Sequence, residues 1–256
     1  MKALITGASS GMGKEFARYL AELGYDLIIA ARRTDKLNEL KEELTNVDVR
    51  VITIDLSNEQ DAYDLYRHLT FDGEEIDFLI NNAGFGAYGR FTEVDLEREI
   101  QLIHTNVSSL HILTKLYLND MVKRGSGHIL NVGSMAGFCA GPTFSSYYAS
   151  KNYVVRLTQA IHEELRRDGS KVTISALCPG PVDTGFNDVA NVKFSVKGLD
   201  AKMVARYAVD RALKGKMLII PGFTMKVVKV MEHFLSEKRL TRLSYNVQSK
   251  KYGKES

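Results

Sequence analysis

Cysteine is scarce, with only two thiols among 256 residues. The spacing of Cys139 and Cys178 is not typical of a zinc site or a disulfide framework, so we expect no structural metal and no disulfide. So few cysteines suit a reducing compartment, and we expect a cytoplasmic location. Long apolar runs are also missing, and none approaches the roughly 20 residues of a membrane-spanning helix. Ala3 to Ile5 already reads as a strand, so we expect no signal peptide before it.

A strong net charge is absent as well, but the charge is unevenly placed. The whole chain carries +3, whereas residues 224–256 hold eight Lys or Arg and three Glu, or +5, which leaves −2 for the rest. Such a basic tail can bind nucleic acid or an anionic membrane surface, although most are solvated helix faces. Nothing else suggests nucleic-acid readout, so we expect none.

Strand-like runs alternate with helices whose apolar residues recur every three or four positions. The runs are Ala3 to Thr6, Leu27 to Ala31, Val49 to Ile54, Phe78 to Ile80, His128 to Val132, Val172 to Leu177 and Met217 to Ile220. This alternation predicts an α/β fold, a doubly wound, Rossmann-like, seven-stranded parallel sheet with helices on both faces. We expect a single domain over 1–256, with a lid loop at about 178–200 and a helical tail at about 224–256.

A glycine-rich turn follows the first strand and runs into a helix. Gly7 permits the tight turn, Gly11 lets the backbone approach a pyrophosphate, and Gly13 allows close helix packing. Free N–H groups at the helix N-terminus attract phosphates. The segment therefore predicts a dinucleotide site, to which the intervening Ser9, Ser10 and Met12 also belong.

The end of the second strand predicts which dinucleotide binds. Sites that select NAD place an acidic residue there for the ribose 2′-hydroxyl, but this chain has Ala31, followed by Arg32 and Arg33. A guanidinium binds a 2′-phosphate through two parallel hydrogen bonds. We therefore expect NADP(H), with Arg32 as the first choice for the contact and Arg33 as the alternative.

Tyr147 and Lys151 lie four residues apart and so share a helix face. A nearby ammonium favours the phenolate, so Lys151 would lower the pKa of Tyr147 and make it a usable acid/base. Tyr148, three residues from Lys151, is the rival for this role.

The motifs together resemble the short-chain dehydrogenase/reductase family over Met1 to about Pro221. The first turn has the family's T-G-x-x-x-G-x-G spacing, residues 81–84 read N-N-A-G, and residues 147–151 fit Y-x-x-x-K, which selects Tyr147 over Tyr148. Ser134 precedes Tyr147 by the family's thirteen residues. The resemblance implies hydride transfer between nicotinamide and a carbonyl or alcohol carbon.

Residue roles follow from the resemblance. Tyr147 is the acid/base, Lys151 also binds the nicotinamide ribose, Ser134 holds the substrate oxygen, and Asn106 bends its helix and supports a proton-relay water. Asp55 would hold the adenine ring. The remaining implied cofactor contacts are Leu56, Asn82, Ala83, Gly84, Pro179, Gly180, Val182 and Thr184.

Aromatic and sulfur-containing side chains beside these motifs predict an apolar small-molecule substrate. They are Phe85, Met135, Phe138, Phe144 and Phe186, each of which could equally be core. Lys193 and Lys197 in the lid are the only candidates for a substrate carboxylate.

Two rival hypotheses stay open. One is a noncatalytic NADP(H)-binding regulator, disfavoured because Asn106, Ser134, Tyr147 and Lys151 are all retained. The other is a peripheral membrane enzyme whose tail rests on anionic lipid, although packing over the pocket or on another subunit is favoured. Its lipid-facing residues would be Met225, Val228, Met231 and Leu235, beside Lys226, Lys229, Lys238, Arg239 and Arg242. The resemblance implies a homodimer or homotetramer, built through the helices of Asn106 and Tyr147.

Overall fold

Seven parallel strands form one sheet in the computed structural model, which describes residues 1–186, 198–232 and 234–249. The strands are β1 Lys2–Thr6, β2 Asp26–Ala31, β3 Val49–Thr53, β4 Phe78–Asn81, β5 His128–Val132, β6 Thr173–Leu177 and β7 Leu218–Ile219. Their spatial order is β3-β2-β1-β4-β5-β6-β7. The predicted sheet is confirmed, and its strand limits differ from the expected ones by at most two residues. Lys193 and Lys197 lie outside the described residues.

Helices connect the strands. They are α1 Gly11–Glu22, α2 Thr34–Glu43, α3 Glu59–Phe71, α4 Leu96–Ile103, α5 Leu110–Arg124, α6 Ser145–Arg167, α7 Ala201–Leu213, α8 Phe223–Glu232 and α9 Glu237–Ser249. A π-helical turn, His104–Ser109, joins α4 to α5, and a 3-10 turn, Met135–Phe138, follows β5. Asp95 and Asp200 cap α4 and α7, because each carboxylate accepts a backbone N–H three residues on.

Both faces of the sheet are covered, because alternate strand residues point to opposite sides. On one face, Ile5 and Ile29 pack with α1, α2 and α7. On the other, Leu4 and Ile28 pack with α3, α5 and α6. The strands therefore read as continuous apolar runs rather than as alternating ones.

The strand order reverses between β1 and β4, which neighbour each other in space. A crevice opens at such a reversal beyond the carboxyl ends of the strands, and open α/β sheets bind their ligands there. The glycine-rich turn, the N-N-A-G segment and Ser134 all follow strands at this edge. The fold thus gathers motifs that are far apart in sequence.

The C-terminal residues form two helices, α8 and α9, that lie against this same edge. α8 contacts the 3-10 turn after β5. Within the described residues, no helix is both long enough and apolar enough to span a membrane.

Candidate active site

The glycine-rich turn packs too closely on its neighbours for larger residues. Gly7 has a φ of +67°, and a Cβ there would lie 2.9 Å from the Cα of Ala83. A Cβ on Gly13 would lie 2.2 Å from the carbonyl oxygen of Gly7. Contacts this short exclude a side chain, so the glycines fix a tight turn whose backbone faces the crevice.

The N-N-A-G segment ties the end of β4 to the end of β1. The Asn82 amide donates to the carbonyls of Thr6 (3.0 Å) and Gly7 (3.1 Å). In return the Thr6 hydroxyl accepts the backbone N–H groups of Asn82 (3.0 Å) and Ala83 (3.1 Å). This network holds together the edge of the sheet at which the strand order reverses.

The two arginines after β2 point to different places. Nη2 of Arg33 donates to the hydroxyls of Ser10 (2.7 Å) and Ser9 (3.1 Å), and so lies over the glycine-rich turn. Nη1 of Arg32 lies 3.9 Å from an oxygen of Asp55, and both side chains are well exposed. Ala31, with 9% exposure, leaves the end of β2 without an acidic group. Of the two arginines, it is therefore Arg33 that contacts the glycine-rich turn.

Leu56 does not present its side chain to the crevice. It is 6% exposed and packs in the core with α3 and α5, while its carbonyl accepts the Ser109 hydroxyl (2.7 Å). The expected cofactor contact at this position is thus limited to its backbone.

The segment after β6 returns to the glycine-rich turn. A Cβ on Gly11 would lie 3.1 Å from Thr184, so the two residues are in close proximity. Backbone hydrogen bonds join Pro181 and Asp183 to Leu199 (2.9 and 3.0 Å), and Val182 pairs with Leu199 as an isolated bridge. The two ends of the expected lid are therefore held together.

Tyr147, Ser134 and Lys151 meet beside Gly84. A hydrogen bond from the Ser134 hydroxyl reaches Tyr147, which is 9% exposed. Nζ of Lys151 donates to the carbonyl of Val132 (2.8 Å) and lies 5.8 Å from the centroid of the Tyr147 ring. A Cβ on Gly84 would lie 3.4 Å from that Nζ, so Gly84 lies directly beside the lysine, which is 4% exposed.

Burial controls the protonation of this pair. It raises the pKa of Tyr147 to about 12, and the hydrogen bond from Ser134 offsets only part of this. It lowers the pKa of Lys151 to about 8. The direction for Tyr147 is opposite to the one that we expected from Lys151, because desolvation of the phenolate outweighs other effects and the ammonium faces Val132.

Asn106 is fully buried in the π-helical turn and holds the backbone of Phe85 at both polar groups. Its Oδ1 accepts the N–H of Phe85 (3.0 Å), and its amide nitrogen donates to the Phe85 carbonyl (2.9 Å) and to the Ser150 hydroxyl (3.1 Å). A solvent-facing role is thus excluded. Asn106 fixes the chain next to Gly84 and Lys151.

Aromatic rings surround the Tyr147 ring on the substrate side. Phe144 stacks on it at a centroid distance of 4.6 Å, and Phe186 approaches to 5.4 Å. Phe85 belongs to the same apolar cluster. Met135 and Phe138 lie in a second cluster, with Cys178. Three of the five sequence-predicted residues, Phe85, Phe144 and Phe186, therefore pack around Tyr147, whereas Met135 and Phe138 belong to the other cluster.

Sequence reasoning missed one contributor, Gln248 in α9. It is 3% exposed, and its Nε2 donates to the Tyr148 hydroxyl (2.5 Å) while its carbonyl accepts the Tyr88 hydroxyl (2.8 Å). Tyr148 and Tyr88 both adjoin Phe144. A polar residue near the end of a basic helix carries no local signal for such a contact.

The inner face of α8 also lies against the candidate site. A Cβ on Gly180 would lie 2.8 Å from the sulfur of Met225, and Nζ of Lys229 lies 4.2 Å from the centroid of the Phe138 ring. The tail therefore packs over the site, which is one of the two arrangements that the sequence analysis favoured over contact with lipid. Met225, a lipid-facing residue in the membrane alternative, lies against Gly180 instead.

Comparisons with known proteins agree with this architecture. The family model for short chain dehydrogenase matches residues 1–193. An uncharacterized oxidoreductase from Staphylococcus epidermidis is 33% identical over 187 residues, which cover 73% of this chain and 80% of that protein.

Two similar solved structures contain different nicotinamide cofactors. A short-chain dehydrogenase from Sphingobium yanoikuyae in complex with NADPH has a TM-score of 0.81 at 28% identity, covering 91% of this chain and 94% of that one. A short chain dehydrogenase/reductase from Burkholderia phymatum in complex with NAD has a TM-score of 0.82 at 26% identity, covering 91% and 92%. Similarity alone therefore leaves the choice between NAD and NADP open.

Proposed function

Because the chain belongs to the short-chain dehydrogenase family, we propose that it is an NADP(H)-dependent oxidoreductase that interconverts a carbonyl and an alcohol. The observation that carries this proposal is the buried cluster at the sheet edge, where Tyr147 accepts a hydrogen bond from Ser134 beside Lys151. Such a cluster offers a proton donor and an oxygen ligand at one point.

The crevice fits a phosphorylated dinucleotide. Gly7 and Gly13 allow the tight turn that begins α1, and a pyrophosphate is favoured at the N-terminus of a helix. Arg33 and the hydroxyls of Ser9 and Ser10 form a polar cluster beside it. When bound there, the nicotinamide supplies the hydride.

NADP(H) is favoured over NAD(H) by the charges around the turn. Ala31 removes the carboxylate that would repel a 2′-phosphate, and Arg33 adds a cation able to bind one. We therefore assign the 2′-phosphate contact mainly to Arg33, with Arg32 contributing beside Asp55.

The protonation of the site suits carbonyl reduction at neutral pH. Since burial raises the pKa of Tyr147 to about 12, this residue is a neutral phenol that can donate its proton to the oxygen of a carbonyl undergoing reduction. Ser134 would hold that oxygen. The Lys151 ammonium, 5.8 Å from the ring centroid, then stabilises the phenolate that remains.

The substrate is proposed to be apolar. Phe144 and Phe186 flank Tyr147, and α8 and α9 close the same side through Met225 and Gln248. A reacting carbonyl would thus be the main polar group of a hydrophobic molecule.

We further propose a cytoplasmic homodimer or homotetramer that assembles through α5 and α6. Val122 in α5 and Tyr153 in α6 are exposed apolar side chains on these helices, 48% and 38% accessible. Contacts between copies at these helices would bury them.

A carbonyl panel tests the proposal. Purified protein is mixed with NADPH and aromatic, steroid-like, fatty-acyl or small aliphatic ketones and aldehydes, and loss of NADPH absorbance is followed. Turnover of at least one apolar class is expected. Tight NADPH binding without turnover of any class would favour the noncatalytic regulator instead.

A further inference from the structure

Exposed apolar side chains are concentrated at the C-terminal end. Of the 20 large apolar residues that are exposed within the described part of the chain, nine lie between residues 223 and 247. This segment is about a tenth of the sequence. Clustering of this kind marks an interaction surface, whereas scattered exposed residues need no explanation.

The apolar residues of α8 form one continuous stripe. Phe223, Val227, Val230 and Met231 follow helical spacing and are 81%, 43%, 59% and 55% exposed. Phe234, just after the helix, extends the stripe and is 78% exposed. We call these five residues the outer stripe.

The outer stripe is exposed even though α8 already packs against the rest of the protein. α8 is already held by its opposite face, where Met225 meets Gly180 and Lys229 lies over Phe138. α9 is held by Gln248, which bonds to Tyr148. Turning the helices to bury the outer stripe would break these contacts.

Cations lie directly after the outer stripe. Lys238, Arg239 and Arg242 begin α9, all are exposed, and none forms an ion pair with another described residue. The only acidic neighbour there whose side chain the structure describes is Glu237. Exposed apolar residues followed directly in the chain by exposed cations match an anionic lipid surface, which offers hydrocarbon and negative headgroups together.

A second copy of the chain fits this surface less well. Outside residues 224–256 the net charge is only −2, so a copy offers little charge complementarity to a +5 segment. The apolar residues of α5 and α6 also provide another surface for assembly.

We infer that α8 and α9 dock the protein on an anionic membrane surface through the outer stripe and the adjoining cations. The inner faces of the same helices cover the proposed substrate site. An apolar substrate would therefore be taken up where the protein meets the lipid.

Vesicle sedimentation tests this inference without relying on enzymatic activity. Full-length protein is spun with vesicles of phosphatidylcholine alone and with vesicles containing about one third phosphatidylglycerol. Binding only to the anionic vesicles, and its weakening by high salt, is expected. Equal recovery in the supernatant with both vesicle types would overturn the inference.

Matched variants separate the apolar and charge contributions. Phe223→Glu/Phe234→Glu should abolish sedimentation, whereas Phe71→Glu/Phe91→Glu, which alters phenylalanines that are 91% and 66% exposed elsewhere, should not. Lys238→Glu/Arg239→Glu should weaken partitioning at least ten-fold, since each cation contributes roughly five-fold. The exposed pair Lys214→Glu/Lys216→Glu is the control for net charge.

Ultracentrifugation without lipid tests the rival partner. If Phe223→Glu/Phe234→Glu changes the oligomeric state and the wild-type protein does not bind vesicles, the outer stripe is an interface between copies of the chain and the inference fails. Unchanged NADPH affinity in each variant shows that it is folded. The charge variants still decide the question if the phenylalanine variant does not fold.

Discussion

The guanidinium of Arg33 lies 2.7 Å from the hydroxyl of Ser10, so a cation is held directly over the glycine-rich turn. Arg32, its neighbour in sequence, turns instead toward Asp55 at 3.9 Å. The two arginines therefore contribute unequally to any phosphate bound at the turn.

Replacing each arginine with alanine should reveal this difference. A charge-assisted hydrogen bond contributes about 1.5 to 3 kcal/mol, so wild type should favour NADPH over NADH at least ten-fold in kcat/KM. Arg33→Ala should remove most of this preference and Arg32→Ala a smaller part. Steady-state kinetics with both cofactors measures it.

Lys36→Ala is the matched control, because it removes an exposed cation, paired with Glu39, from α2, the helix that directly follows the two arginines. The preference should be unchanged in this variant. A wild-type preference for NADH would contradict the cofactor assignment, and loss of preference only in Arg32→Ala would move the contact to that residue.

Asn106→Ala should damage both stability and turnover. The substitution leaves the N–H and carbonyl of Phe85 without their partners in a buried site, at a cost of about 3 kcal/mol. It also releases the chain beside Gly84, so kcat should fall. Urea unfolding and kinetics measure the two effects, and a variant with wild-type values in both would show that Asn106 is dispensable.

Lys151 should make stability depend on pH. Burial lowers its pKa to about 8 from 10.5, so between these values the unfolded chain binds a proton that the folded chain does not. The contribution of Lys151 to the free energy of unfolding should therefore rise with pH across this window. Relative to Lys151→Met, the gain should be on the order of a few kcal/mol.

Urea unfolding at a series of pH values measures this difference. Lys115 is exposed, so Lys115→Met is the control, and its free energy of unfolding should change with pH as that of wild type does. If the free energy of unfolding of Lys151→Met follows that of wild type between pH 8 and 10.5, burial does not lower the pKa of Lys151.

Tyr148 should position the tail rather than transfer the proton. Tyr148→Phe and Gln248→Ala each remove the side-chain hydrogen bond between Gln248 and Tyr148, so both should change KM for bulky ketones about three- to five-fold. The kcat should stay within about two-fold of wild type. Because the two variants share this lost bond, the effect of the double variant should be smaller than the sum of the single effects. A large loss of kcat in Tyr148→Phe alone would make Tyr148 the acid/base.

Local patterns predicted most of the fold and the core of the site. The parallel strands are recognisable as apolar runs. Gly7 and Gly13 occupy positions that only glycine fits. The spacing of Tyr147 and Lys151 places both side chains on one helix face. These features depend on neighbours in sequence. The single domain over 1–256 stays a prediction.

Features set by tertiary packing could not be predicted. The choice between Arg33 and Arg32 depends on where Ser10 lies in space. The raised pKa of Tyr147 depends on how completely it is buried. Gln248 meets Tyr148 across 100 residues of sequence, with no periodic signal to mark the pair.

Deuterium transfer tests the central claim most directly. NADPH carrying deuterium in place of both hydrogens at C4 of its nicotinamide ring is incubated with an apolar ketone from the panel, and the alcohol is analysed by mass spectrometry. We expect deuterium on the carbinol carbon, and a rate at least about 100-fold lower in Tyr147→Phe with nearly unchanged NADPH affinity. Absence of deuterium from every product, or a Tyr147→Phe variant as fast as wild type, would contradict the assignment of Tyr147 as the proton donor of a hydride-transferring site.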